Sequence, residues 1–271
     1  MSTCGARPSA RGTVDIGRPP RGRGELGLRT RVIAPLTSGS RDGLLDEAAA
    51  VGDEPVDLVE WRADSMVRAL AGSSFAAPDL VGELTATAGA LLGASALPLI
   101  ATVRTSSEGG AAHLDDSEYC ALVASLSGMA DAVDVEIGRE GAPDLVREAQ
   151  RAGARVIASH HDFGGTPGDE ELAGVLASMN HAGADVLKIA CAPRSGGDVA
   201  RVLTAGAWAR EAYDRPVIAI AMGRLGGPTR FAGAALGGAA TFASVGGASA
   251  PGQYTAREAR AVLDIVEGAP Q

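Results

Sequence analysis

The stretch ARVIASHHDFGGTPGDEELAGVLASMNHAGADVLKIA, residues 154–190, decides the fold. It opens on ARVIAS, an apolar run without polar alternation, which is how a strand covered on both faces reads. A helix-compatible segment, 166–183, follows. It has Thr166-Pro167 as a start signal, acids in its first turn and Gly183 to close it. ADVLKIA then supplies a second strand-like run. The same kind of run recurs as RVIAPL (31–36), VDLVEW (56–61), PLIATV (98–103), DAVDVEI (131–137), PVIAIAM (216–222) and AATFASV (239–245). Helix-compatible stretches lie between them, such as DDSEYCALVASLSGMA at 115–130, and a last helix is expected from Tyr254 to Val266. An open doubly wound sheet rarely needs eight strands, whereas a (β/α)8 barrel of about 250 residues needs that number. No GxGxxG follows the first strand, which weakens a dinucleotide-binding reading. The expected fold is α/β, a single (β/α)8 TIM barrel with a short N-terminal extension and hairpin.

Bulk properties narrow the function. The 271 residues are 46% hydrophobic, enough for one large core, but only 3% aromatic, so that core must be built from Ala, Val, Leu and Ile. A net charge of -9 repels a phosphate backbone, which argues against nucleic acid as a partner. The longest apolar runs, such as 86–99, are broken by Gly, Thr, Ser or Pro and fall short of the roughly 20 residues a membrane span needs. Cys4, Cys120 and Cys191 are few, widely spaced and odd in number, as reduced cytoplasmic thiols are. Residues 1–29, rich in Arg, Gly and Pro, lack the apolar segment of a secretory signal. They are expected to form a flexible leader with a short hairpin around TVDIG, ahead of a catalytic barrel at 30–271.

Barrels of this class carry their chemistry at the C-terminal ends of the strands. There the sequence places Glu60, Arg62 and Asp64; Arg104, with Glu108 in the following loop; Glu136; His160 and His161; Lys188; Met222 and, past a Gly-rich turn, Arg230; and finally Ser249 and Gln253. Each has an ordinary reading. A lysine in an apolar strand can snorkel to solvent, a histidine can be structural, and an arginine can be an ion-pair partner. Their recurrence at one relative position in strand after strand marks a site. A buried amine flanked by arginines suits a nucleophile. Adjacent strand residues point to opposite faces, so only one of His160 and His161 can face the barrel mouth. Three arginines at one mouth of an acidic protein suggest an anionic or polyhydroxylated substrate. His113 and His181 read as surface residues.

Taken in order, VEWRAD, TVRTSSEGG, SHHDFGGTP, ADVLKIA, GGPTRFAG, GGAATFASV and ASAPGQ resemble the type I 3-dehydroquinate dehydratases, over residues 31–267. One such motif is weak; the ordered set is specific. The resemblance implies dehydration of the small-molecule substrate 3-dehydroquinate to 3-dehydroshikimate in the shikimate pathway. Lys188 would form a Schiff base, His161 would move protons, and Glu108 would orient His161. Glu60, Arg62 and Arg104 would bind the ring hydroxyls. Arg230, Ser249 and Gln253 would hold the carboxylate, with Met222 and Phe163 as apolar walls and GGASAPGQ as a lid. No cofactor or metal is implied, and relatives are often homodimers. Two positions depart from the pattern: Pro35 stands where some relatives carry serine, and His160 where asparagine is common. Other readings are a lysine-dependent sugar-phosphate aldolase, whose phosphate cradle the Gly-rich segments could mimic, and a barrel that has lost catalysis and only binds.

Overall fold

The computed structural model describes residues 12–18, 22, 24–71, 77–245 and 254–268. The hairpin comes first, with β1 (Val14–Ile16) antiparallel to β2 (Gly24–Leu26). Eight parallel strands follow: β3 (Arg31–Leu36), β4 (Leu58–Arg62), β5 (Leu99–Thr102), β6 (Ala132–Glu136), β7 (Arg155–Asp162), β8 (Val186–Cys191), β9 (Val217–Ala221) and β10 (Ala240–Phe242). Each of the eight expected runs contributes one. Parallel pairing runs from β3 through to β9, and β10 pairs with β3. The ring closes where the chain entering β10 meets β9: Ala239 N donates to Val217 O at 2.9 Å and Ala219 N to Gly237 O at 2.8 Å.

The outer layer contains α1 (Arg41–Val51), α2 (Ala63–Ala71), α3 (Ala77–Ala94), α4 (Asp116–Ser127), α5 (Ala142–Arg151), α6 (Asp169–His181), α7 (Gly196–Tyr213) and α8 (Ala256–Glu267). Reciprocal caps begin α4 (Asp115 with Glu118), α7 (Ser195 with Asp198) and α8 (Thr255 with Glu258), each satisfying backbone donors that helix geometry leaves free. The α6 helix starts later than its Thr-Pro signal suggests. Gly168 adopts the extended cap conformation, and Asp169, Glu170 and Glu171 occupy the first turn, where the helix dipole favours acids. The link from β9 to β10 holds two short 3-10 turns, Gly227–Phe231 and Ala234–Leu236.

Strand alternation separates two apolar layers. Outward residues such as Val59, Ala101, Val133, Val156, Leu187 and Ala219 pack on the helices. Inward residues Ile33, Leu58, Ile100, Ala132, Ile157, Val186 and Ile218 fill the barrel floor, and Ile16 and Leu26 of the hairpin plug it from below. The hairpin is therefore part of the core.

Candidate active site

Two residues past the floor layer, the same period-2 alternation turns Glu60, Thr102, Asp134, Ser159 and Lys188 inward. Two further on it presents Arg62, Arg104, Glu136 and His161. An apolar bottom thus changes to a charged top within one turn of the pleat. Above lies a cavity of about 350 Å³ whose lining includes Lys188, His161, Glu108, Arg230, Phe163 and Phe242.

Lys188 is 5% exposed. Its amine donates to Asp134 Oδ2 at 3.0 Å, lies 3.9 Å from Glu60 Oε1 and stands 4.9 Å from the centre of the Phe242 ring. Asp134 also accepts from Arg104 Nη2 at 2.6 Å and from the Ser159 hydroxyl. Burial alone would raise its carboxyl, but Arg104 and then Lys188 overcome that and hold it well below the usual carboxylate range. Thr102 Oγ1 donates to Glu60 Oε1 at 2.9 Å, fixing the second carboxylate beside the amine.

The His161 ring is paired with Glu108, Nδ1 to Oε2 at 2.9 Å. Burial, reinforced by the charges of Arg104 and Lys188, pushes the imidazole well below its ordinary value, so it is neutral at pH 7. Burial also raises the Glu108 carboxyl to about 8, against the opposing pull of Arg104. Glu108 ends the 3-10 turn Ser106–Glu108, and Gly109 follows with φ +76. That left-handed conformation suits glycine, and a Cβ there would overlap the ring of Phe163, which leans across the mouth 59% exposed.

The three arginines differ. Arg104, 3% exposed, binds Glu108 at 2.9 Å, Glu136 at 3.2 Å and Asp134 at 2.6 Å. Those carboxylates outweigh its burial and keep it charged. Arg62 is forked onto Asp64 at 2.8 and 2.9 Å. Arg230 is 9% exposed, its Nε has no hydrogen-bond partner, and no carboxylate pairs with it among the described residues. Burial lowers its hold on its proton, with Tyr254 opposing. A buried cation in a cavity wall, without a carboxylate partner among the described residues, has the chemistry to take an anion. Among the described residues, no group of three or more His, Cys, Asp or Glu is disposed to hold a metal ion.

A lysine and a neutral histidine on adjacent strands, facing an unmatched arginine, suit Schiff-base chemistry on a carboxylated ketone. Residues 32–270 match the family model of type I 3-dehydroquinase. The chain belongs to the type I 3-dehydroquinase family. The 3-dehydroquinate dehydratase of Klebsiella pneumoniae subsp. pneumoniae is 39% identical over 244 residues, covering 88% of this chain and 93% of that one. The crystal structure of 3-dehydroquinate dehydratase from Geobacillus kaustophilus HTA426 superposes with a TM-score of 0.80 at 33% identity, covering 91% of this chain and 95% of the other. A type I enzyme from Clostridium difficile, solved with covalently modified comenic acid, gives 0.83 at 30% identity, covering 94% and 98%.

In this type I 3-dehydroquinase, Lys188, His161, Glu108, Glu60, Arg62, Arg104, Arg230 and Phe163 all line the one cavity. Met222 is not among the lining residues; it packs half-buried against the floor cluster. Ser249, Gln253 and the rest of the expected lid lie outside the described residues. His113 and His181 are exposed. Pro35 lines the cavity. His160 does not line the cavity, yet its Nδ1 lies 3.9 Å from the far oxygen of Glu108. The expected crowd of arginines around Lys188 is corrected: carboxylates are the charges nearest its amine. Asp134, Ser159, Thr102 and Phe242 escaped the sequence reading. Asp134 was within reach of it, two residues before Glu136 and so on the same strand face.

Proposed function

We propose that Lys188, His161 and Glu108 carry out the dehydration of 3-dehydroquinate to 3-dehydroshikimate, the shikimate-pathway reaction of the type I family. The Lys188 nitrogen adds to the C3 carbonyl and water leaves, giving an iminium that draws electrons from C2. The Nε2 atom of His161 takes the C2 proton, and the C2–H electron pair moves into the C2–C3 bond as the enamine forms. That electron pair then expels the C1 hydroxyl, which departs as water with the proton His161 returns. Hydrolysis of the product imine restores the lysine.

Each neighbour has a part in this reading. Ionised Glu108 accepts from Nδ1–H of His161, leaving Nε2 as the base. Asp134 accepts a hydrogen bond from the Lys188 amine, and Glu60 adds a second carboxylate beside it, which together hold it at the barrel centre. Glu60 and Arg62 take ring hydroxyls, and Arg104 lends fixed positive charge while bracing Glu108. Arg230 takes the substrate carboxylate, joined by Ser249 and Gln253 on the strength of the ASAPGQ motif. Phe163 walls the mouth. The observation that carries the proposal is the opening of Lys188 and His161 into one cavity with an arginine that has no carboxylate partner among the described residues.

Intact mass after borohydride reduction with 3-dehydroquinate tests it. Wild type should gain one ring adduct on the Lys188 peptide, and Lys188→Ala none. An unmodified, folded wild type would defeat the reading. A cytoplasmic homodimer belongs to the same proposal. The free thiols Cys120 and Cys191 support the location, and family resemblance supports the dimer. Analytical ultracentrifugation checks the dimer: a monomer at micromolar concentration would end that part.

A further inference from the structure

Asp64 does not line the cavity, and the mechanism above gives it no task. It lies in the first turn of α2, completely buried. An acid there could simply complement the helix dipole. Its oxygens are used otherwise. Oδ1 accepts from Arg62 Nε at 2.8 Å, and Oδ2 accepts both Arg62 Nη2 at 2.9 Å and the backbone N–H of Ala111 at 2.9 Å. Ala111 stands three residues past Glu108. At the other end of that loop, Thr105 donates its N–H to Glu136 Oε1 at 2.8 Å and its hydroxyl to Oε2 at 2.7 Å. Two buried carboxylates from different strand ends therefore clamp the segment that presents Glu108.

We propose that Asp64 is a positioning residue that couples the substrate grip to the proton-moving pair. One carboxylate sets the angle of the Arg62 fork toward the ring hydroxyls and anchors the loop that aims Glu108 at His161. A bidentate arginine pair has little angular freedom, so a shift of Arg62 is passed to Ala111 through the shared oxygen. The cavity between them is where the ring lies in the reading above, on which this inference rests.

The experiment compares kcat, KM, thermal midpoint and borohydride trapping for wild type, Asp64→Asn and Ala111→Pro in the full chain. Asp64→Asn keeps the shape and removes the charge. It should raise KM through the loosened Arg62 fork and lower kcat by about tenfold to a hundredfold through a misplaced Glu108, with the Lys188 adduct still trapped. Ala111→Pro removes the N–H donor, at the cost of a fixed φ, and leaves the Asp64–Arg62 pair. It should lower kcat with KM nearly unchanged, which also serves if Asp64→Asn proves unstable. A raised KM with wild-type kcat in Asp64→Asn would overturn the coupling. Wild-type kcat in Ala111→Pro would overturn the loop anchor, and unchanged constants in both would overturn the whole proposal. Failure to trap an adduct on wild type would instead remove the Schiff-base reading, and this inference with it.

Discussion

Lys188 donates its amine to Asp134 across 3.0 Å at the centre of the barrel, and that same carboxylate holds Arg104 at 2.6 Å. One buried anion thus faces two cations, Arg104 just beyond the end of β5 and Lys188 on β8. Attack on a carbonyl needs the lone pair of the lysine nitrogen, which a neutral amine can present while one N–H still points at Asp134.

Asp134→Asn should therefore destabilise the fold as well as slow adduct formation. Losing the anion leaves Arg104 and Lys188 short of a partner, a change that costs about 3–5 kcal/mol in buried pairs. The pH dependence has a definite sign. The folded carboxyl is held below its ordinary value, so its stabilisation is present above about pH 4 and fades as pH falls, when the unfolded chain takes up the proton first. Urea denaturation at pH 7 and pH 3 should show the gap between wild type and variant narrowing at the lower pH. An equal gap at both would contradict it.

His161→Ala should still trap the lysine adduct yet turn over about 100- to 10,000-fold more slowly, the usual worth of a positioned acid–base group. Parallel measurement of trapped mass and steady-state rate separates the two steps. Loss of trapping along with rate would assign His161 to imine formation alone.

The Glu108–His161 pair titrates as a unit. With the carboxyl raised to about 8 and the imidazole lowered, the pair retains a proton through neutrality. The base-competent form, Glu108 ionised with Nε2 free, gains population as pH rises toward 8. In consequence kcat/KM should climb with pH, pass its midpoint near that value and level off above it, and Glu108→Gln should erase the climb. A flat profile in wild type from pH 6 to 9 would count against the pairing.

Arg230→Leu should trade function for stability. The native guanidinium is buried with its Nε unpartnered, and such an unmet donor costs about 1–3 kcal/mol. The variant should melt higher while KM rises steeply. A lower melting point with KM intact would show that Arg230 is structural.

Much of this molecule is visible in its linear order. Eight Val/Ile/Leu-rich runs separated by helices admit few folds, and period-2 alternation predicts which residues of each run turn inward. Lys188, His161 and Glu108 were legible for that reason, as charged or basic groups at strand ends. Asp134 is easily passed over because it sits mid-run between apolar neighbours, while Glu136 at the strand end attracts notice first. Thr102, Ser159 and Phe242 carry no chemical signature by themselves. Their roles come from what neighbouring strands bring opposite them.

By itself, then, the sequence determined the strand and helix order, the inward face of each strand and several of the charged groups gathered at one rim. Periodicity and side-chain chemistry are local properties, and those suffice. The tertiary structure alone decided the pairings. It set Lys188 against Asp134 instead of an arginine, used up Arg104 on three carboxylates, left Arg230 without a carboxylate among the described residues and tied Asp64 to the Glu108 loop. Those outcomes depend on barrel stagger and loop path, which place atoms far apart in the chain within 3 Å. Electrostatic energy in a buried site changes steeply with such distances.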